Sequence, residues 1–350
     1  MTVGVAVKVL ERGKHFTFDE RKSLGTGSFG TVFDGSMINP GAAQPVRIAF
    51  KQFRVGDTRP VANPVFKGPA SPSHSGSTEA KQTPVKDHFA LIKREAELLW
   101  QVKDCGSFVQ LHGWCREPLG LVTEFCDGGS LDEQLYLEGS NAPTPVEAAP
   151  LVRDLLSGVR LLHQLGIVHR DLKSPNLLLH QGRLKLADFG SARRMVSGTA
   201  RATRDTDIGT CLWSPPEKPT KPGRLFGKGT RRDPARDVWS VGCIIGELYL
   251  CRLPFLDAGI DPQHANKAKV TKAKKERKPP HDPVLLAKIS PRLAAFVAKL
   301  CDYDPAKRPT LATAVREWNA VEEEILKLHA PPVSTRSGRV LIDGCRKRRW

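Results

Sequence analysis

Long apolar runs are missing from this sequence. Its most apolar stretch, Val241 to Cys251, is short and contains Glu247, whereas a membrane-spanning helix needs roughly 18 or more such residues. The opening residues include a brief apolar run, Val3 to Val7, but Lys8, Glu11 and Arg12 follow at once. That is a poor secretory signal. The expectation is an intracellular protein, in the cytosol or the nucleus, with no membrane partner. Paired cysteines are missing too. The eight cysteines stand at 105, 115, 126, 211, 243, 251, 301 and 345, and no two form C-x-x-C. Zinc-ligand spacing and dithiol redox chemistry therefore have no support, and reduced, mostly buried thiols are expected. No internal repeat is found.

Excess acid is also absent. The formal net charge is +17, and three pieces account for all of it. Residues 218–236 and 264–281 each carry seven Lys or Arg against one acid, and 336–350 carries six against one. The remainder is neutral, so the basicity belongs to expected insertions and a tail. Three readings stay open for these pieces: solvated surface, attraction of acidic partners or nucleic acid, or nuclear import through Arg346-Lys-Arg-Arg349. Aromatic residues are not interleaved with the charges apart from Phe226 and Trp350, so base stacking has little support.

A hydrophobic fraction of 40% over 350 residues allows one large or two small globular units. Four stretches lack a period. Arg54 to Lys86 has five prolines and four serines, Lys218 to Arg236 and Ala265 to Pro283 are basic, and Pro331 to Trp350 reads as a tail. Between them, Phe16 to Phe33 alternates and is broken by glycines, which suggests a hairpin. Val46 to Phe53 and Leu119 to Phe125 read as strands. Phe89, Ile92, Ala96 and Leu99 form one helical stripe, and Leu151, Leu155, Val159 and Leu162 form another. Strands with one helix, then helices, imply a small β-rich unit followed by a helical one, joined near Glu124 to Gly129.

Three constellations carry chemistry. Gly25, Gly27 and Gly30 make G-x-G-x-x-G. Dinucleotide-binding loops share this spacing but run into a helix. Here Thr31, Val32 and Phe33 follow, then Asp34-Gly35, so the glycines sit in a hairpin able to approach phosphates closely. An ordinary glycine-rich turn is the alternative. Lys51 ends the apolar run Val46-Arg-Ile-Ala-Phe. A buried ammonium needs a partner, for which Glu95 is the natural candidate and Glu97 a competitor; a solvated edge lysine is the other reading. The third constellation decides. Ile167-Val-His169-Arg170-Asp171-Leu172-Lys173-Ser-Pro-Asn176 is followed, twelve residues after Asn176, by Asp188-Phe189-Gly190. Asn176 and Asp188 offer oxygen ligands suited to a hard cation such as Mg²⁺, and Asp171 is left to orient or deprotonate a hydroxyl.

On these motifs the chain resembles the eukaryotic protein kinases, from about Phe16 to about Leu328. The resemblance implies an α+β, bilobal protein kinase fold, with a small β-rich N-lobe holding one main helix and a larger helical C-lobe. It divides the chain into an extension (1–15), an N-lobe (16–125, with a flexible insertion at 54–87), a C-lobe (126–328, with basic insertions at 218–236 and 264–281) and a basic tail (329–350). It implies ATP and Mg²⁺ as cofactors and a protein serine or threonine as substrate. Leu24, Gly25, Thr26, Gly27, Ser28, Phe29, Gly30, Thr31 and Val32 would cover the nucleotide, with Ala49, Lys51, Thr123, Glu124, Cys126 and Leu178 completing its pocket. Thr123 would be the gatekeeper, and the backbone that follows would hold adenine. Lys51, Glu95, Asp171 and Lys173 would be catalytic, and Asn176 and Asp188 would hold the metal. Asp237 would brace the catalytic loop, and Glu217 would pair with Arg308.

His-Arg-Asp-Leu-Lys-Ser-Pro-Asn is similar to the tyrosine-kinase-like group, whose members are mostly serine/threonine kinases. Lys173 and Thr210 agree, with tyrosine or dual specificity as the runner-up. Arg170 suggests pairing with a phosphate on Ser197, Thr199, Thr203 or Thr206, for which Asp205 and Asp207 could partly substitute. A pseudokinase scaffold and a charge-driven nucleic-acid binder are the readings from other classes. The departures from the family pattern are the long Gly30–Lys51 spacing, the excursion at 54–87 that puts Glu95 in competition with Glu97, and Pro215.

Overall fold

The computed structural model describes residues 7–27, 30–38, 44–53, 85–137, 142–195, 208–217, 232–256 and 267–329. Ser28, Phe29, most of the 54–87 excursion, the four candidate phosphosites, Asp205, Asp207, Arg346-Lys-Arg-Arg349 and the tail lie outside them.

The first unit is a six-stranded sheet of order β1-β5-β6-β4-β3-β2. Its strands are β1 (Val9–Leu10), β2 (Phe16–Gly27), β3 (Gly30–Met37), β4 (Val46–Phe53), β5 (Leu111–Cys115) and β6 (Gly120–Glu124). The expected hairpin is β2–β3. The sheet also reaches back into the first fifteen residues: β1 pairs in parallel with β5, and Leu10 is buried. Two residues are too few to show a period.

Alternation along β4 sorts its side chains between two faces. Ile48 and Phe50 join Leu10, Phe16, Phe18, Cys115 and Val122 in a small core. Ala49 and Lys51 point the other way, and Lys51 reaches α1 (Val85–Gln101). There Ile92, Ala96 and Leu99 bury their stripe with Leu121 in the main core.

The second unit is helical: α2 (Leu131–Tyr136), α3 (Pro145–Gln164), α4 (Ile208–Trp213), α5 (Arg232–Leu250), α6 (Lys267–Lys275), α7 (Pro283–Ile289), α8 (Pro291–Leu300) and α9 (Leu311–His329). Its start signals are explicit. Thr144 and Glu147 form a capping box ahead of Pro145 on α3, Asp282 caps α7, and Ser290 caps α8. Between α3 and α4 lie β7 (Ile167–Val168), β8 (Leu177–His180), β9 (Arg183–Leu186) and β10 (Arg193–Arg194), paired as β8–β9 and β7–β10. Their loops carry the third constellation.

Two basic stretches depart from expectation. The end of 218–236 is not loop: from Arg232 it is α5, and Ala235 and Arg236 are buried. Within 264–281, α6 buries Val270, Ala273 and Lys274. Five of the seven described cysteines are buried and all seven are free. Among the described residues no helix is long and apolar enough to cross a membrane.

Candidate active site

Antiparallel register puts directly paired residues on the same face. Lys51 faces Val32 on one side and Leu121 on the other, and Ala49 faces Thr123. Val32, Ala49, Lys51 and Thr123 thus share one surface, from strands whose residues are far apart in sequence. The hairpin above them is tight at Gly30, where a Cβ would stand 2.0 Å from the Gln52 carbonyl oxygen; only glycine fits. Gly25 meets no such obstacle. Thr26 and Thr31 pair across the hairpin, and Leu24 sits at a register irregularity, exposed.

Lys51 is the centre of the site. Its Nζ donates to Glu95 Oε1 and to Asp188 Oδ1, each at 2.8 Å. The competition between Glu95 and Glu97 is settled by that contact, with Leu99 buried one turn on. Burial works against the Lys51 charge, but the two carboxylates overcome it and raise its pKa. Burial likewise pushes Asp188 up, and the Lys51 charge and hydrogen bond reverse this, so its pKa is lowered. Glu95 is raised by burial against the pull of Lys51.

The loop at 169–171 is held from below. Asp237, on α5, accepts from the His169 backbone N–H (2.8 Å), the Arg170 N–H (2.9 Å) and His163 Nε2 (2.9 Å). Arg170 and Asp188 adopt positive φ, 71° and 59°, conformations unfavourable for non-glycine residues and typical of functional loops. Phe189 is buried with its ring 5.1 Å from His169 and 5.9 Å from Phe108.

Asp171 is buried, and burial raises its pKa against the opposing charge of Lys173, whose Nζ is 3.3 Å from Oδ2. Asn176 Nδ2 donates to the Asp171 carbonyl at 2.8 Å and to Oδ2 at 3.2 Å. Asp171 Oδ1 has no hydrogen-bond partner among the described residues. A buried carboxylate oxygen without a donor is costly and marks where a ligand group is expected. The donor set also fits magnesium. Asn176 keeps its Oδ1, Asp188 its second oxygen, and no cluster of three or more His, Cys, Asp or Glu side chains among the described residues forms an all-protein cage. Mg²⁺ takes one or two protein oxygens and fills the remainder with phosphate and water.

Not every sequence-assigned residue reaches the cleft by its side chain. Glu124 turns its carboxylate to Lys185 Nζ (2.6 Å) and the Gln110 N–H (2.8 Å); it can serve a nucleotide only through its backbone. Cys126 is buried, which pushes its thiol up to about 12. Leu178 alternates with the buried Leu177 and Leu179, so it faces away from the helical core. The Thr210 side chain, Ser28 and Phe29 are outside the described residues.

The sequence reading missed Lys185, His163 and a buried cluster at Glu247. That carboxylate accepts from Ser174 Oγ (2.7 Å), Trp213 Nε1 (2.6 Å) and Tyr136 Oη (2.9 Å). The only signal was Glu247 itself, an acid inside the most apolar stretch. Arg308 pairs with Glu217 as expected, through both carboxylate oxygens at 2.7 and 2.8 Å.

Comparison with known proteins agrees with this geometry. The profile of the protein kinase domain matches residues 77–318, more than half of the chain. The serine/threonine-protein kinase SSK22 of Saccharomyces cerevisiae is 26% identical over 311 residues, 84% of this chain and 20% of its own. The mitogen-activated protein kinase kinase kinase 3 of Arabidopsis thaliana is 28% identical over 288 residues, 81% of this chain and 38% of its own. The dual specificity protein kinase TTK of Mus musculus is 34% identical over 148 residues, 39% of this chain and 17% of its own. The chain spans well under half the length of these relatives. With the profile match covering the loops at 167–176 and 188–190 and the pairing of Lys51, Glu95 and Asp188 in place, this chain belongs to the protein kinase domain family.

Proposed function

We propose that the chain transfers the γ-phosphoryl group of ATP to serine or threonine hydroxyls of protein substrates. One observation carries the reading: Lys51 binds Glu95 and Asp188 at once, joining sheet, helix and metal-ligand loop. Phosphoryl transfer needs positioning and neutralisation of charge rather than covalent catalysis. The hairpin of β2 and β3 would bring backbone N–H groups over the phosphates, and Lys51 supplies a fixed positive charge. Asn176 and Asp188 would hold a Mg²⁺, which supplies further neutralisation when bound. Asp171 orients the substrate hydroxyl and takes its proton as the oxygen bonds to the γ-phosphorus and the bond to the β-phosphate oxygen breaks, releasing ADP. Lys173, beside Asp171, offsets charge on the incoming oxygen.

Lys173 and the serine/threonine kinases among the relatives support the substrate class. The test is γ-phosphate transfer to a generic basic protein, wild type against Asp188→Asn, with analysis of the phosphorylated residue. Transfer to Ser or Thr, reduced by roughly 10² or more in the variant, is the expected result. Equal turnover by both proteins would leave a pseudokinase scaffold as the reading, and phosphotyrosine would overturn the substrate class.

A further inference from the structure

A second cleft, of about 390 Å³, lies in the helical lobe and shares no residue with the site above. Its lining includes Pro280, Leu286, Val297, Ala298 and Tyr303, with two basic side chains, Arg277 and Lys307, against one acid, Asp302. Asp302 is engaged in its own turn, accepting the Asp304 N–H at 2.8 Å. The volume falls in the range of roughly 300–1,000 Å³ of ligand sites, and the mixture of apolar lining and few charges is typical of them.

The cleft is preformed. Tyr303 donates its hydroxyl to the Lys278 carbonyl at 2.6 Å, and its ring stands edge-on to Trp239 at 5.2 Å. The Pro280 carbonyl accepts the Phe255 N–H at 2.6 Å, and His281 Nε2 meets the Cys243 carbonyl at 2.8 Å. A rigid site loses little entropy on binding. Its rim is basic: Arg277 and Lys307 line it, and Arg277 and Lys278 are exposed where the chain leaves α6. Glu276 is the sole acid between 264 and 281, and it is shared by Lys272 and Lys278.

We propose that this cleft docks an acidic segment of a partner protein, one aromatic or large aliphatic side chain filling it and flanking aspartates or glutamates meeting the surrounding lysines and arginine. Charge complementarity selects this occupant over the chain's own tail, since 336–350 carries six basic residues and one acid and would be repelled. It selects a protein over a charge-only ligand because the lining is apolar and needs an anchor.

The test uses the full chain and a fluorescent decapeptide of Glu and Asp around one central Phe, read by polarisation. Saturable binding is expected, weakened about tenfold or more by Phe→Ala in the peptide. Ala298→Trp, which fills the cleft without changing charge, and Lys307→Glu, which reverses one, should weaken it similarly, and so should added salt. Melting curves check that both variants fold; should Ala298→Trp fail to, the peptide substitution and Lys307→Glu decide. Absence of saturable binding, or binding indifferent to both the central Phe and Ala298→Trp, overturns the proposal. Two other outcomes overturn it as well: a single-stranded RNA that binds there and is lost on Ala298→Trp, or a dimer that this substitution dissolves.

Discussion

Removing Arg308 should destabilise the helical lobe by about 4 kcal/mol. Its side chain is fully buried. It donates to both Glu217 oxygens, to the Asp302 carbonyl at 2.7 Å and to the Ala235 carbonyl at 2.8 Å, and it stacks 5.0 Å above Trp239. Breaking a buried pair by deleting one partner costs roughly 3–5 kcal/mol, because the remaining charge stays uncompensated. Glu217 is 19% exposed and can partly rehydrate, which argues for less. The two stranded carbonyls, at roughly 1–3 kcal/mol each when left unsatisfied, argue for more. Against a typical total of ~5–15 kcal/mol, Arg308→Ala should lower the melting temperature by about 8–16 °C for a unit of this size. The double substitution with Glu217→Ala should cost less than the sum of the singles by about 1–3 kcal/mol, since the pair is lost only once. Urea unfolding of the four proteins measures both quantities. A cost under about 1 kcal/mol for Arg308→Ala, or strict additivity in the cycle, would refute the reasoning.

Two other outcomes follow from buried charge. Burial pushes Glu247 up to about 7, against the donors Ser174, Trp213 and Tyr136, from an ordinary value of 4.5. A folded-state value above the unfolded one means that this group's contribution is complete below about pH 4.5 and is lost as pH rises through about 7. Wild type should therefore lose melting temperature relative to Glu247→Gln between about pH 5 and 8; parallel curves would show that Glu247 does not titrate there. Near Arg170, burial and the Arg170 charge lower the pKa of Arg94, and burial, Arg94 and Arg170 lower that of Arg193. Arg170 Nη1 is buried without a hydrogen-bond partner among the described residues. A phosphate on the segment that follows would offset these like charges. Alanine at Ser197, Thr199, Thr203 and Thr206 together should lower activity by about tenfold or more, as phosphatase treatment of the wild type should; unchanged activity in either case removes the phosphate from the account.

What could be read from the sequence was local or rigidly spaced. The loops at 167–176 and 188–190 were legible because both sit on one short stretch of chain, where β7, β8 and β9 leave few ways to arrange them. The strand Val46–Phe53 was legible with Lys51 in it, and Glu95 was its natural partner, with Glu97 in competition until the contact to Lys51 decided between them. Pairings across long separations were legible only where a family motif carried them, as for Glu217 with Arg308. Lys185 with Glu124, His163 with Asp237, and Glu247 with Tyr136 each join residues whose neighbours say nothing of one another, and they exist only because separate elements pack together.

Composition misled in one instructive place. A run of lysines with one acid reads as solvated surface, yet Val270, Ala273 and Lys274 recur at three- and four-residue steps, the narrow stripe of a packed helix. Lys274 lies on that stripe and is not wet. Its ammonium donates to the Cys211 and Ser214 carbonyls, 60 and more residues away. There it satisfies acceptors at the end of α4 and meets the negative pole of that short helix. The charge of α6 thus divides by geometry: one lysine holds the stretch that leads to Glu217, while Lys272 and Lys275 are exposed. In a charged helix, period rather than composition tells which charges are structural.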